Sequence, residues 1–100
     1  MTEIIMKIII NGGDARSGAL SAIRSARGGN IDKARELLKE ADQAISRAHE
    51  VQTDLIQAEA RGEKTEMSLL MVHAQDHIMN AMTVRDLAEE MVGMLADKNS

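Results

Sequence analysis

Between Ala34 and Ala58 the apolar residues return at intervals that alternate strictly between three and four: Ala34, Leu37, Ala41, Ala44, Ala48, Val51, Leu55 and Ala58. A helical side chain comes back to the same side about every 3.6 residues, so this spacing draws one continuous seam along an α-helix and would scatter over both faces of a strand. The stretch is therefore expected to form one long helix that buries a stripe made largely of alanine. Asn30, just ahead of it, is a natural N-cap.

Proline is absent from the whole chain, so its divisions must be read from glycines and caps. The two clear interruptions are "RGGN" at 27–30 and "EARGEKTE" at 59–66. They divide one domain, residues 1–100, into helices expected at roughly 3–27, 31–60 and 66–96. In the third piece Thr65 is a candidate cap, and Met67, Leu70, Ala74, Ala81, Ala88 and Leu95 run along one face.

The first piece is ambiguous. "EIIMKIII" is β-branched enough for a strand, with "NGGD" as its turn. Helix is favoured because Ile4, Ile5, Ile8 and Ile9 share a face with Ala15, Leu20, Ala22 and Ile23, and because no second strand is available as a partner. Gly12 and Gly13 are expected to weaken or bend it.

Three helices with short connections give an all-α, antiparallel up-down-up bundle, and no internal repeat competes with that architecture. The composition fits. There is no aromatic residue, and the apolar content is Ala, Ile, Leu, Val and eight Met, side chains that suit closely packed helices. A chain of 100 residues buries only about 65% of its unfolded surface, which leaves a monomer marginal.

Several functional classes are excluded or disfavoured. Without cysteine there is no disulfide and no thiolate zinc site, no group can be carried on sulfur, and a reducing compartment is permitted. The N-terminal "MTEIIMKIIING" is interrupted by Lys7 and lacks a cleavage signature, and no apolar run is long enough to span a membrane, so a soluble cytoplasmic protein is expected. A net charge of −4 with no aromatic stacking platform argues against nucleic acid. Arg16, Arg24 and Arg27 read as a solvated helix face.

The third helix carries more apolar surface than its own bundle needs. Leu70, Ala81, Ala74, Met67 and Ile78 fall within roughly 80° of the helical wheel and face inward. Leu69, Val72, Met79, Thr83 and Leu87 lie on another sector together with Asp76, and a three-helix monomer would expose them. Self-association is the economical explanation.

Within these surroundings His73, Asp76, His77 and Asn80 occupy a polar sector of roughly 100°, because residues three and four apart are helical neighbours. Three readings are open. A histidine in apolar surroundings is commonly a core side chain satisfied by a carbonyl or carboxylate. His73 and His77 also have the i, i+4 spacing of metal-binding helices with Asp76 beside them, although Ala74, not Glu, follows His73. Finally, a neutral imidazole can accept a phosphoryl group while its other nitrogen is oriented by a hydrogen bond. His49, in "AHEVQT" on the second helix, is read as structural and outside the site.

The blocks "VHAQDHIM", "HEVQTDLIQAEARG" and "NGGDARSGAL" resemble the lactose and cellobiose (chitobiose) enzyme IIA family of the bacterial sugar phosphotransferase system, over most of the chain. The resemblance implies a homotrimer of three-helix bundles with a nine-helix core. It implies phosphoryl transfer from phospho-HPr to this chain and then to a cysteine of the cognate enzyme IIB, in association with membrane enzyme IIC, during uptake of a β-linked disaccharide. By motif position His73 looks like the phosphorylated histidine. Asp76 looks like the aspartate that faces the threefold axis and binds a divalent cation, usually magnesium, and His77 and Gln75 match the supporting polar positions. Gln75 falls about 160° around the helix from His73, so any role is structural or across a subunit boundary. Gly13 with Gly18 departs from the family pattern, in which a larger residue is common at one or both positions, and this bears on the regularity of the first helix. The rivals are a non-catalytic helical self-association protein and a metal-binding bundle that uses His73, Asp76 and His77.

Overall fold

In the computed structural model, which describes residues 1–98, the chain forms α1 (Thr2–Arg27), α2 (Ile31–Ala60) and α3 (Leu69–Lys98). No strand occurs among the described residues, and "EIIMKIII" lies inside α1. The molecule is a rod with extents of 53 × 20 × 16 Å. α1 packs along both other helices, which touch each other least.

The breaks follow local chemistry. α1 stops where Gly29 adopts φ +91° and the Asn30 amide donates to the Ser25 carbonyl at 2.9 Å. α2 stops at Gly62, with φ +90° and the Glu63 amide on the Ala58 carbonyl at 3.0 Å. This left-handed backbone favours glycine and satisfies the last carbonyls of a helix. Asn30 caps α2 through its side-chain oxygen, which accepts from the Lys33 amide at 3.1 Å.

The cap of α3 is Ser68, not Thr65. Its hydroxyl accepts from the Met71 amide at 3.1 Å while its carbonyl accepts from the Val72 amide at 3.0 Å. The helix therefore starts at Leu69, three residues later than the expected 66. Met67 precedes it and is exposed, and Leu70, in its first turn, is exposed as well. The face that enters the core is Met71, Ala74, Ile78, Ala81, Ala88 and Val92.

Alanine sets the spacing of the bundle. Ala15, Ala41, Ala44 and Ala81 fill its middle. Ile5, Ile8, Ala48, Met71, Ala74 and Ile78 form the core at one end, and Ala19, Ala22, Ala26, Ala34, Leu38, Ala88 and Val92 at the other. The glycines of α1 do not interrupt it. A Cβ at Gly12 would stand 3.4 Å from the carbonyl carbon of His77 and the amide nitrogen of Ile78. Close helix packing thus compensates for the low helix propensity of glycine.

Polar links fix the alignment of the helices. Arg47 Nε donates to Asn11 Oδ1 at 2.9 Å between α2 and α1. Between α2 and α3, Arg85 binds Asp42 through Nη2 at 2.9 Å and reaches Glu89 through Nη1 at 2.7 Å. The hydrogen bond to Asp42 holds the guanidinium pKa above its ordinary value, with burial opposing and Glu89 adding to it.

Candidate functional site

His73 lies in the second turn of α3, past the four free N–H groups of the helix start, so no helix terminus is aimed at it. What orients it is a second imidazole one turn along. The Nε2 atoms of His73 and His77 are 3.1 Å apart, with the rings edge to face at a centroid separation of 4.5 Å. One nitrogen must donate and the other accept. With His77 as donor, the His73 Nε2 lone pair is aimed and its proton sits on Nδ1. His73 is exposed and His77 half-buried, so neither is a core histidine closed off from solvent.

Asp76 and Asn80 form the next polar pair. Asn80 Nδ2 donates to Asp76 Oδ1 at 3.1 Å, and both side chains are exposed. Around them the outward face is apolar. Leu69 is 86% exposed, Leu87 53% and Val72 50%, and Met79 is exposed as well. An uncovered face of this kind surrounding a carboxylate is expected where copies of a chain meet.

Gln75 points elsewhere. Its Oε1 accepts from Gln52 Nε2 at 2.7 Å, and its own Nε2 rests 3.6 Å from Met71 Sδ. It bridges α2 and α3 on the side away from His73, as its position around the helix requires. Gln52 is buried, and the amide pair satisfies it.

Among the described residues no group of three or more His, Asp or Glu side chains is placed to hold a metal ion. His73, Asp76 and His77 thus do not form a metal site within one chain. The remaining Asp76 oxygen is a hard donor that suits magnesium only if other subunits supply further carboxylates. His49 is exposed on α2.

Arg16, on an exposed face of α1 as expected, also belongs to this region. It lines a cavity of about 400 Å³ with Asp76, His77, Asn80 and Val84. Its sequence signal was its place in "NGGDARSGAL", four residues after the glycine that packs on His77.

Fold and site together define a helical bundle that presents an oriented, solvent-accessible imidazole on one helix. Residues 3–96 match the family described as "PTS system, Lactose/Cellobiose specific IIA subunit", and the chain belongs to that family. It is thus a phosphotransferase component, a carrier of phosphoryl groups.

Among its relatives, the lichenan-specific phosphotransferase enzyme IIA component of Bacillus subtilis (strain 168) is 56% identical over 92 residues, 92% of this chain and 84% of the relative. The N,N'-diacetylchitobiose-specific component of Escherichia coli (strain K12) is 40% identical over 92 residues, 92% of this chain and 79% of the relative. The crystal structure of the cellobiose-specific enzyme IIA from Bacillus anthracis has 47% identity and a TM-score of 0.94, covering 97% of this chain and 89% of that one. The IIA(Chitobiose)–HPr complex of Escherichia coli contains a chain with 36% identity and a TM-score of 0.84, covering 99% of this chain and 96% of that one.

Membership in this family displaces the non-catalytic self-association reading. No helix among the described residues is long and apolar enough to cross a membrane.

Proposed function

We propose that the chain accepts a phosphoryl group from phospho-HPr on His73 and passes it to a cysteine of its cognate enzyme IIB, in the cytoplasm, during uptake of a β-linked disaccharide through the membrane enzyme IIC. The observation that carries this reading is the exposed His73 with its Nε2 held 3.1 Å from that of His77. The structure of a related IIA in complex with HPr supports the choice of donor.

His73 Nε2 attacks phosphorus in line. Its lone pair forms the new bond as the bond from phosphorus to the donor breaks, and that bond's electrons stay on the donor. For that attack the His77 N–H first leaves the lone pair it engages in the free protein and turns to a phosphoryl oxygen, a charge-assisted hydrogen bond of about 1.5–3 kcal/mol. In the second step the enzyme IIB thiolate attacks, a phosphorus–sulfur bond forms, and the electrons of the nitrogen–phosphorus bond return to His73. Gln75 supports the site from a distance by fixing α2 against α3 at Gln52. A carrier of this kind touches phosphoproteins and not the sugar.

Assembly as a homotrimer with a nine-helix core would cover Leu69, Val72, Met79 and Leu87 and bring three Asp76 carboxylates near one axis. Like charges there repel. Three carboxylates would hold a magnesium ion, whose charge offsets the repulsion and ties the subunits together. The observation behind this part is the exposed apolar face with Asp76 within it.

The test is incubation of the parent and His73→Gln with phospho-HPr, followed by addition of enzyme IIB. The parent should take up label and pass it on, and His73→Gln should take up none. Label retained by His73→Gln would sink the assignment of the carrier residue.

A further inference from the structure

A phosphoryl group on His73 carries about −1.5 to −2 charges and three strong acceptor oxygens. The mid-helix position of His73 supplies no backbone donor for them, His77 supplies one, and the nearby Asp76 repels them. A cation is missing from this inventory, and the fold provides one on α1.

Gly12 lets the α1 backbone pack against that of α3 at His77 and Ile78. Arg16 follows one turn later on the same helix face, and helical side chains lean back toward the N-terminus, which returns its guanidinium toward the level of His77. There it lines the cavity with His77, Asp76 and Asn80. At about 400 Å³ that space admits a phosphoryl group and several waters; His73 does not line it and borders it through His77, whose Nε2 is 3.1 Å from that of His73.

Arg16 is also uncommitted. Arg85 is held by Asp42 and Glu89, Arg61 by Glu63, and Arg47 by Asn11. Arg16 makes no hydrogen bond or ion pair among the described residues. Asp76, the carboxylate in the same cavity, takes its hydrogen bond from Asn80.

We infer that Arg16 is the phosphoryl-binding cation of this site. Its planar fork donates to the phosphoryl oxygens from the α1 side while His77 donates from α3. Arg16 forms no covalent bond. It balances charge on the oxygens throughout the transfer, where fixed donors contribute most of what a protein can add to such a step. The inference rests on His73 as the carrier.

The experiment compares the full-length parent, Arg16→Gln and Arg16→Lys, with His73→Gln as control. It measures the transfer rate from phospho-HPr, the equilibrium distribution of phosphoryl between the two proteins, and the phosphorus-31 resonance of the phosphorylated chain. Circular dichroism and light scattering check fold and assembly. Arg16→Gln should slow transfer by about 10²-fold, shift the equilibrium back toward phospho-HPr and move the resonance, with fold and mass unchanged. Arg16→Lys should recover part of each, because it restores charge without the fork. An Arg16→Gln protein with parental rate, equilibrium and resonance would overturn the inference. So would one that transfers normally but loses its assembly, since Arg16 would then serve Asp76. Labelling of His73→Gln would instead remove the carrier reading itself, a failure separate from either.

Discussion

The two faces of α3 invert the usual allocation of side-chain size. The inward face places Ala74, Ala81 and Ala88 at the centre of the bundle, joined by Met71, Ile78 and Val92. The outward face carries Leu69, Val72, Met79, Leu87, Met91 and Met94, all exposed. A helix serving only its own bundle would bury its large groups and expose its small ones. Here small groups bring three backbones close together, and much of the large apolar surface is kept for something outside the bundle. The polar chemistry of His73 and Asp76 sits along the outward side, where incoming proteins can meet it.

Loss of assembly is the largest effect by which this contrast can be broken. Leu87→Glu places a charge in the outward face, so the proposed trimer should fall to single chains by light scattering while helical circular dichroism persists. A mass of three chains in that variant would show that the outward face around Leu87 is not what joins the copies. The inward face should respond in stability instead. Ile78 is fully buried, and Ile78→Ala should cost about 2–5 kcal/mol in urea unfolding; a change under about 0.5 kcal/mol, the scale of an ordinary surface substitution, would contradict the inward assignment.

Smaller effects sharpen the comparison. Ser68 sets where α3 begins and hence which residues belong to either face, and Ser68→Ala should cost about 1 kcal/mol, read as a lower urea midpoint. Asp76 is the charged member of the outward face. In chelator, Asp76→Leu should raise the melting temperature of the assembly by a few degrees, because repulsion is removed and apolar area added. A lower melting temperature than the metal-free parent would count against a repelling axial cluster.

The bundle was legible in the sequence wherever apolar periodicity was strong. The seam from Ala34 to Ala58 lies in α2, with Ala34, Ala41, Ala44 and Ala48 buried. The polar cluster was legible for the same reason, since His73 and His77 one turn apart must be neighbours on a helix. The start of α3 was misread because Thr65 and Ser68 are both capable caps, and only the backbone path after Gly62 decides which hydroxyl meets a free amide. Gly12 and Arg16 were missed because their roles depend on how closely α1 approaches α3. Propensity treats such a glycine as a weakness, and charge patterning correctly puts such an arginine in solvent but says nothing of what lies beside it, because neither contains interhelical distance.

The central placement of α1 bears on the order in which the molecule assembles and comes apart. α1 and α2 are joined by the short Gly28–Asn30 turn, so their pairing closes a small loop and forms early. α3 must return past α2 to lie on α1, and it has little contact with α2 to hold it in place. The α1–α2 hairpin is therefore the expected nucleus, and detachment of α3 the expected first opening of an unassembled bundle, a step that assembly through the outward face of α3 would oppose. The proposed carrier histidine thus rides on the helix that docks last within a single bundle. Native-state hydrogen exchange should show α3 amides exchanging through an opening that leaves α1 and α2 protected, and uniform exchange across the three helices would exclude that order.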